Sequence, residues 1–207
     1  MHRIWPVLLL VVAAPLVGRI VWRRRRQAHE LTRLARRRGL AFAPLDLIGL
    51  HERYYNLACI RQGHNRRAFD VLYGSTDAGL VAVFRYRFDL GFGVEQVSKQ
   101  WWVAVLESPR PLAAWQAWPA DEPRLERPEH SARIGPLAVA ADRPSTLDAL
   151  RQPPLASFLT SVPEDWHFEA RTTLAAVVAP FDHDFTVPDR LLASLAEWAR
   201  LLPGDET

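Results

Sequence analysis

From Ile4 to Trp22 the chain is almost wholly apolar, and four arginines, Arg23, Arg24, Arg25 and Arg26, come at once behind it. A helix over this stretch, rising about 1.5 Å per residue, is roughly 28 Å long, close to the roughly 30 Å hydrocarbon thickness of a bilayer. The segment therefore predicts one transmembrane helix. Trp5 and Trp22 stand at its two ends, where indole rings occupy the headgroup region, and Arg19 is near enough to one end to reach water along its aliphatic stem. Pro6 falls in the first turn, where its missing N–H costs nothing, and Pro15 predicts a kink of the kind membrane helices tolerate.

A cleaved secretory signal is the competing reading, with Arg3 as a short basic start. Against it, the small pair Ala13-Ala14 is followed by Pro15, a poor residue after a cleavage site, and the arginine run suits a stop-transfer flank. The flanks also set orientation. Arg3 and the α-amine precede the segment, whereas Arg19, Arg23, Arg24, Arg25, Arg26, Arg33 and Arg36 to Arg38 lie at or beyond its other end. The positive-inside rule then places the remainder in the cytoplasm, on the inner membrane.

Behind the anchor about 180 residues remain, enough for one domain with a sizeable core. The division expected is an anchor with its basic flank at 1–26, a juxtamembrane helix at 27–39 and a globular domain at 40–207. Residues 1–67 hold 14 arginines against Glu30, Asp46 and Glu52, a net of +11, while residues 68–207 hold 12 basic against 20 acidic groups, a net of −8. A basic collar with an acidic body beyond it suits an anionic cytoplasmic leaflet. The basic residues are arginines apart from Lys99, a bias that fits a GC-rich genome better than RNA binding, and no nucleic-acid partner is expected. The single Cys59 excludes an internal disulfide framework and any multi-cysteine metal cluster.

Within the domain the pattern predicts an α+β fold with a mainly antiparallel sheet and flanking helices. Gln27 to Arg38 reads as a helix ended by Gly39, with Ala28, Leu31, Leu34 and Ala35 on one stripe; it either lies on the membrane surface or docks on the globular domain, and a thin stripe without an aromatic favours docking. Leu40 to Ala43 is a short strand stopped by Pro44, and Leu45 to Tyr55 a helical turn. Ala68 to Tyr73 and Leu80 to Phe88 form a hairpin around Gly74 to Gly79, with one face of the second strand in the core and the other turning wet towards Arg85 and Arg87. Val97 to Glu107 is a third strand, in which Trp101 and Trp102 must face opposite sides of the sheet, so both sides need cover.

Pro109 and Pro111 are expected to break the chain before a fourth strand at Leu112 to Trp118, and Pro119 to His130 reads as a surface loop. Leu137 to Ala141 gives another strand. Ser145 to Leu150 and Leu155 to Ser161 read as short helices, the first capped by Ser145 with Asp148 three residues on. Trp166 to Ala170 and Thr173 to Val178 read as a second hairpin. Val187 to Leu202 is an amphipathic final helix, with Pro188 in its first turn and Leu191, Leu195, Trp198 and Leu202 on one stripe.

The order of parts resembles a group of uncharacterised bacterial single-pass membrane proteins. The likeness is carried by the anchor, the arginine-rich helix ending Arg38-Gly39-Leu40-Ala41-Phe42, and the stretch Gly63-His64-Asn65-Arg66-Arg67-Ala68-Phe69-Asp70-Val71-Leu72-Tyr73-Gly74. It continues in Val83-Phe84-Arg85-Tyr86-Arg87-Phe88 and the tail from Trp166 to Leu202. The group has no assigned activity, so the resemblance implies an architecture and no catalytic residue.

Candidate chemistry is sparse. Asp182-His183-Asp184 offers three ligand-type side chains, but neighbours on one chain rarely converge on a metal. On a strand, Asp165, His167 and Glu169 share a face and suit acid–base work, or simply form the solvated face of an edge strand burying Trp166 and Phe168. His64, Arg66 and Arg67 can hold a phosphate or lipid headgroup, or form a polar turn at the membrane-facing end of the sheet. There is no phosphate-binding Gly-rich loop, nucleophile elbow or HExxH motif. The function expected is a membrane-tethered, non-enzymatic module that binds a protein partner or lipid headgroups, with no cofactor or metal; an enzyme using the His/Asp/Glu cluster is the alternative.

Overall fold

In a computed structural model of the protein, the described residues are 4–122, 130–182, 184 and 186–201, with side chains described for all of these except 4–14 and 16. The first element, helix α1 (Ile4–Arg37), runs without a break through Pro15 and the arginine collar into the domain. Its last turns carry the predicted stripe: Leu31, Leu34 and Ala35 are all buried in the core. Gly39, at φ 68°, ends it, with the Leu40 N–H donating to the Ala35 carbonyl at 2.8 Å and the Gly39 N–H to that of Arg36 at 3.3 Å, the paired bonds of a Schellman cap. Among the described residues no helix is long and apolar enough to cross a membrane. The transmembrane expectation over Ile4 to Trp22 rests largely on residues 4–14 and 16, Trp5 included, whose side chains lie outside the described residues.

Seven strands form one sheet among the described residues: β1 (Ala41–Leu45), β2 (His64–Thr76), β3 (Gly79–Leu90), β4 (Val97–Pro119), β5 (Ser131–Ile134), β6 (Leu137–Ala141) and β7 (His167–Pro180). The path runs β1-β2-β3-β4-β6-β5, with β7 also paired to β4, and every pairing is antiparallel. The α+β class with a mainly antiparallel sheet is thus what the chain adopts. β1 pairs only with β2, so Pro44, which has no N–H to donate, sits in an edge strand and does not stop it. The predicted hairpin turn contracts to Asp77-Ala78, followed by Gly79 at φ 137°, where glycine is needed because a Cβ would collide with the Glu107 carbonyl oxygen.

Two strands are longer than the sequence suggests. Pro109 and Pro111 do not break the chain: β4 continues through them for 23 residues. They fall where β3 has ended at Leu80–Glu107, β6 has not yet begun at Trp115–Ala141, and the β7 register shifts, so no ladder bond needs their missing N–H. The second hairpin is likewise one strand, β7. Thr172, at φ 55°, marks a bulge that lets β7 follow β4 around the same bend. β5, which the sequence pattern does not announce, pairs with β6 about Gly135.

Both faces of the sheet are covered. On one lie the end of α1, α4 (Pro144–Arg151), α5 (Leu155–Ser161) and α6 (Val187–Leu201), over Leu72, Val83, Trp102, Trp115 and Phe168. On the other lie two single-turn helices, α2 (Leu50–Arg53) and α3 (Ala58–Arg61), over Phe84, Tyr86, Phe88 and Val103. Trp102 therefore enters the first core while Trp101 packs on the second, as alternation requires. In α6, Leu191, Leu195 and Trp198 are buried against the sheet, and Leu202 lies outside the described residues. The Ser145 cap is corrected: α4 starts one residue earlier with Pro144 in its first turn, Arg143 precedes it without a side-chain cap, and Asp148 faces Arg151 at 3.4 Å.

α2 is tied to the sheet by a forked ion pair. Arg53 donates Nε to Glu107 Oε1 at 2.6 Å and Nη2 to Oε2 at 2.9 Å, and the Tyr54 hydroxyl donates to Oε1 at 2.9 Å. The Arg53 bonds hold the Glu107 carboxyl below its ordinary 4.5. A carboxyl depressed by folding adds stability that is complete above its unfolded pKa and is lost as pH falls through the folded value. Because the Arg53 side chain is 47% exposed, Glu107→Gln is expected to cost only about 0.5–1 kcal/mol at neutral pH. That difference should shrink as pH falls below 4.5, which urea midpoints at neutral and acid pH will check; a gap that widens in acid would contradict the assignment.

Candidate functional site

The strand bulges decide where the polar residues go. Asn65, Asp70 and Thr172 all have positive φ, and the first two lie where the β2–β3 register shifts. The Asp70 bulge turns its carboxylate onto Arg85 of β3, with Nη2 at 2.6 Å, and onto Gln27 of α1, whose Nε2 donates at 2.9 Å. The Arg85 guanidinium also lies 4.0 Å from the Phe69 ring centroid and 5.1 Å from that of Phe181. Burial pushes the Asp70 carboxyl up, against the pull of Arg85 and Arg24, and pushes Arg85 down. An acid, a base and two aromatic rings thus fasten α1 to the sheet just after its arginine run. The signal in the sequence is a lone charge in each of two apolar stretches, Phe69-Asp70-Val71 and Phe84-Arg85-Tyr86.

Strand direction then fixes which end of the sheet α1 leaves from. Gln27 sits at Asp70 while Leu40 sits at Gly74, so towards its N-terminus α1 runs towards the start of β2. That end also holds the β3–β4 turn, since His64 pairs with Asp89 and Leu90 with Val97. Asp89 clamps the turn: it accepts from Asn65 Nδ2 at 3.1 Å, Gln96 Nε2 at 2.8 Å and Ser98 Oγ at 2.5 Å, and the Ser98 and Asn65 bonds hold its carboxyl below the ordinary range.

The anion-binding trio is divided by this geometry. His64 stacks under Phe92 of the turn, ring centroids 4.6 Å apart and nearly parallel. Arg66 turns to the α2–α3 side, where its guanidinium lies 5.3 Å from the Tyr55 ring. Arg67 is exposed and stands directly opposite Arg87, which is on the same face of β3 as Arg85 and therefore on the α1 side. Like charges directly opposite in a sheet are unfavourable, and α1 adds more at that end. Of the residues expected to flank a membrane, Arg19, Arg23, Arg24, Arg25 and Arg26 are all exposed along α1. Trp22 among them is 61% exposed, with the Arg26 guanidinium 5.7 Å from its ring.

The solvated-face reading of Asp165, His167 and Glu169 is corrected for Glu169. Glu169 is not on a solvated face: it is 5% exposed, and its two oxygens accept from the backbone N–H groups of Ala58 at 2.8 Å and Cys59 at 3.2 Å. Leu57 precedes α3 and cannot cap it, so β7 supplies the cap from across the core. Burial, with Glu169 beside it, raises the Cys59 thiol well above its ordinary value. His167 faces Glu122 at 3.3 Å, and Asp165 is exposed. Asp184 accepts from the Thr186 N–H at 2.9 Å and hydroxyl at 2.7 Å, shaping the approach to α6, and His183 lies outside the described residues. Among the described residues no three His, Cys, Asp or Glu side chains gather as metal ligands.

No protein-family model matches the chain, and no curated protein matches it in sequence. Among solved structures it is similar to the mycobacterial trehalose monomycolate transport factor A, TtfA, at a TM-score of 0.67 and 14% identity, over 87% of this chain and 98% of that one. At that identity the likeness is one of fold.

Proposed function

We propose that the protein is a membrane-tethered, non-enzymatic binding module, held by the N-terminal half of α1 at the inner membrane with its α+β domain in the cytoplasm. The observation that carries this reading is the continuity of α1. Its last turns are fixed in the core by Leu31, Leu34 and Ala35 and by the Gln27–Asp70 bond, while Val17, Ile20, Val21 and Trp22 on the projecting part are exposed. A rigid, apolar projection ringed by arginine suits a bilayer, and the positive flank suits its cytoplasmic side. The structural neighbour is named a transport factor, which accords with binding a partner or lipid headgroups.

The test is to fuse alkaline phosphatase and a fluorescent protein in turn to Thr207 in the full chain. Fluorescence without phosphatase activity, in membranes that retain the protein through alkaline carbonate washing, is the expected result. Phosphatase activity without fluorescence would overturn the orientation, and release by carbonate would overturn the anchor.

A further inference from the structure

The β3–β4 turn is an exposed apolar feature of the domain itself, as is the 45–48 stretch at the end of β1. Leu90, Phe92, Val94 and Val97 are 37%, 80%, 105% and 51% exposed, on a turn held rigid at its base by Asp89. Protruding apolar side chains on a fixed, hydrogen-bonded base lose no shape when they leave water, and the conformational cost of ordering their backbone is already met by the fold. Their surroundings are mainly basic, with Glu95 the exposed acid within the turn. Arg67 and Arg87 face each other beside the turn, Lys99 is exposed near its base, and the turn lies at the end of the sheet from which α1 projects with its own arginines. A protein surface that paired this region would need acids to match the arginines, whereas an anionic bilayer offers both a negative plane and an apolar layer beneath it.

We propose that the β3–β4 turn is a second membrane contact: Phe92 and Val94 enter the headgroup–acyl boundary of an anionic bilayer, with Arg67, Arg87 and Lys99 on lipid phosphates. The inference rests on the tethered reading for its setting, since α1 would hold the turn against the same leaflet. With two contacts the domain lies at a fixed attitude on the surface, and the β2–β3 tip at Asp77 points away from it.

The full chain carrying Val94→Cys, labelled with an environment-sensitive fluorophore and reconstituted into phosphatidylcholine vesicles with and without phosphatidylglycerol, tests this. Cys59 is buried, which keeps labelling at position 94 selective. The expected result with phosphatidylglycerol is blue-shifted emission that is mostly lost to lipids spin-labelled high on the acyl chain. The same probe at Asp77→Cys should stay aqueous, and Arg67→Glu with Arg87→Glu should return the position-94 probe to water. Carbonate extraction of the same samples reads the α1 anchor separately. Aqueous emission at position 94 in carbonate-resistant protein overturns the second contact and leaves the anchor standing. Quenching at 94 in carbonate-released protein supports the contact and overturns the anchor, and aqueous emission in released protein overturns both. Quenching that persists through the charge reversal, or appears equally at position 77, also overturns the proposal.

Discussion

Trp198→Ala should cost the domain about 3–5 kcal/mol, a large share of the roughly 5–15 kcal/mol that a domain of this size possesses. The indole is fully buried at the centre of an aromatic cluster, edge-on to Trp115 at 5.2 Å and 79° and to Phe168 at 5.4 Å and 89°, with Phe158 beyond at 5.7 Å from Phe168. Removing it opens a cavity between α6 and the β4–β7 pair, where rigid neighbours cannot collapse inward. Its Nε1–H is buried without a hydrogen-bond partner among the described residues, so Trp198→Phe, which keeps a ring and removes that donor, should cost much less. Urea unfolding of a fragment beginning at Gln27 separates the outcomes, and a midpoint shift worth under about 1 kcal/mol for the alanine variant would mean that α6 is not the lid of the core.

Arg85→Met should be nearly as damaging, at about 2–4 kcal/mol, because it leaves Asp70 in a site that is one-seventh exposed, with neutral Gln27 as its remaining hydrogen-bond partner among the described residues and the Arg24 charge as a weaker support. A fully buried pair would lose more; here both side chains keep some contact with water, 20% for Arg85 and 14% for Asp70. Adding Asp70→Asn to Arg85→Met should recover most of the loss, since the stranded charge then disappears. In the single variant the Asp70 carboxyl rises further above its ordinary 3.8, so stability should improve as pH falls through that raised value, the reverse of the Glu107 case. A double variant no more stable than Arg85→Met would show that the ring contacts to Phe69 and Phe181, and not the charge pair, carry the site.

Periodicity finds the elements whose buried face is set locally: the α1 stripe, the β2–β3 hairpin, the strand through Trp101 and Trp102, and α6. It fails where a distant partner overrides local chemistry. Pro109, Pro111 and the Arg171-Thr172 gap between the two strands expected there all read as chain breaks, yet β4 and β7 run through them because each supports the other around a shared bend. Glu169 reads as wet because alternation gives the face of a residue but not what covers it, and α3, more than a hundred residues earlier, covers this one. The arginine collar, Arg23 to Arg26 with Arg24 and Arg25 at its centre, and the polar start of β2 are legible as composition. That Arg66 and Arg67 part to opposite sides follows from strand alternation, but that Asp70 meets Arg85 depends on a bulge that no spacing rule announces.

The shared spine of β4 and β7 also sets the order in which the molecule can be finished. Trp102 pairs with Ala179 and Ala117 with Phe168, so one long edge of β4 stays open until the ribosome has made β7. During that interval the sheet presents an unpaired apolar border, the form of exposure that invites pairing with another chain. Closure over so large a sequence separation is slow, and neither core is complete before it, since β7 contributes Phe168 and Val177 to one and Ala176 and Val178 to the other. Truncations that end the chain before β7 should therefore yield aggregates and not a smaller domain, even though β1 to β6 and α1 to α5 would all have been made in full.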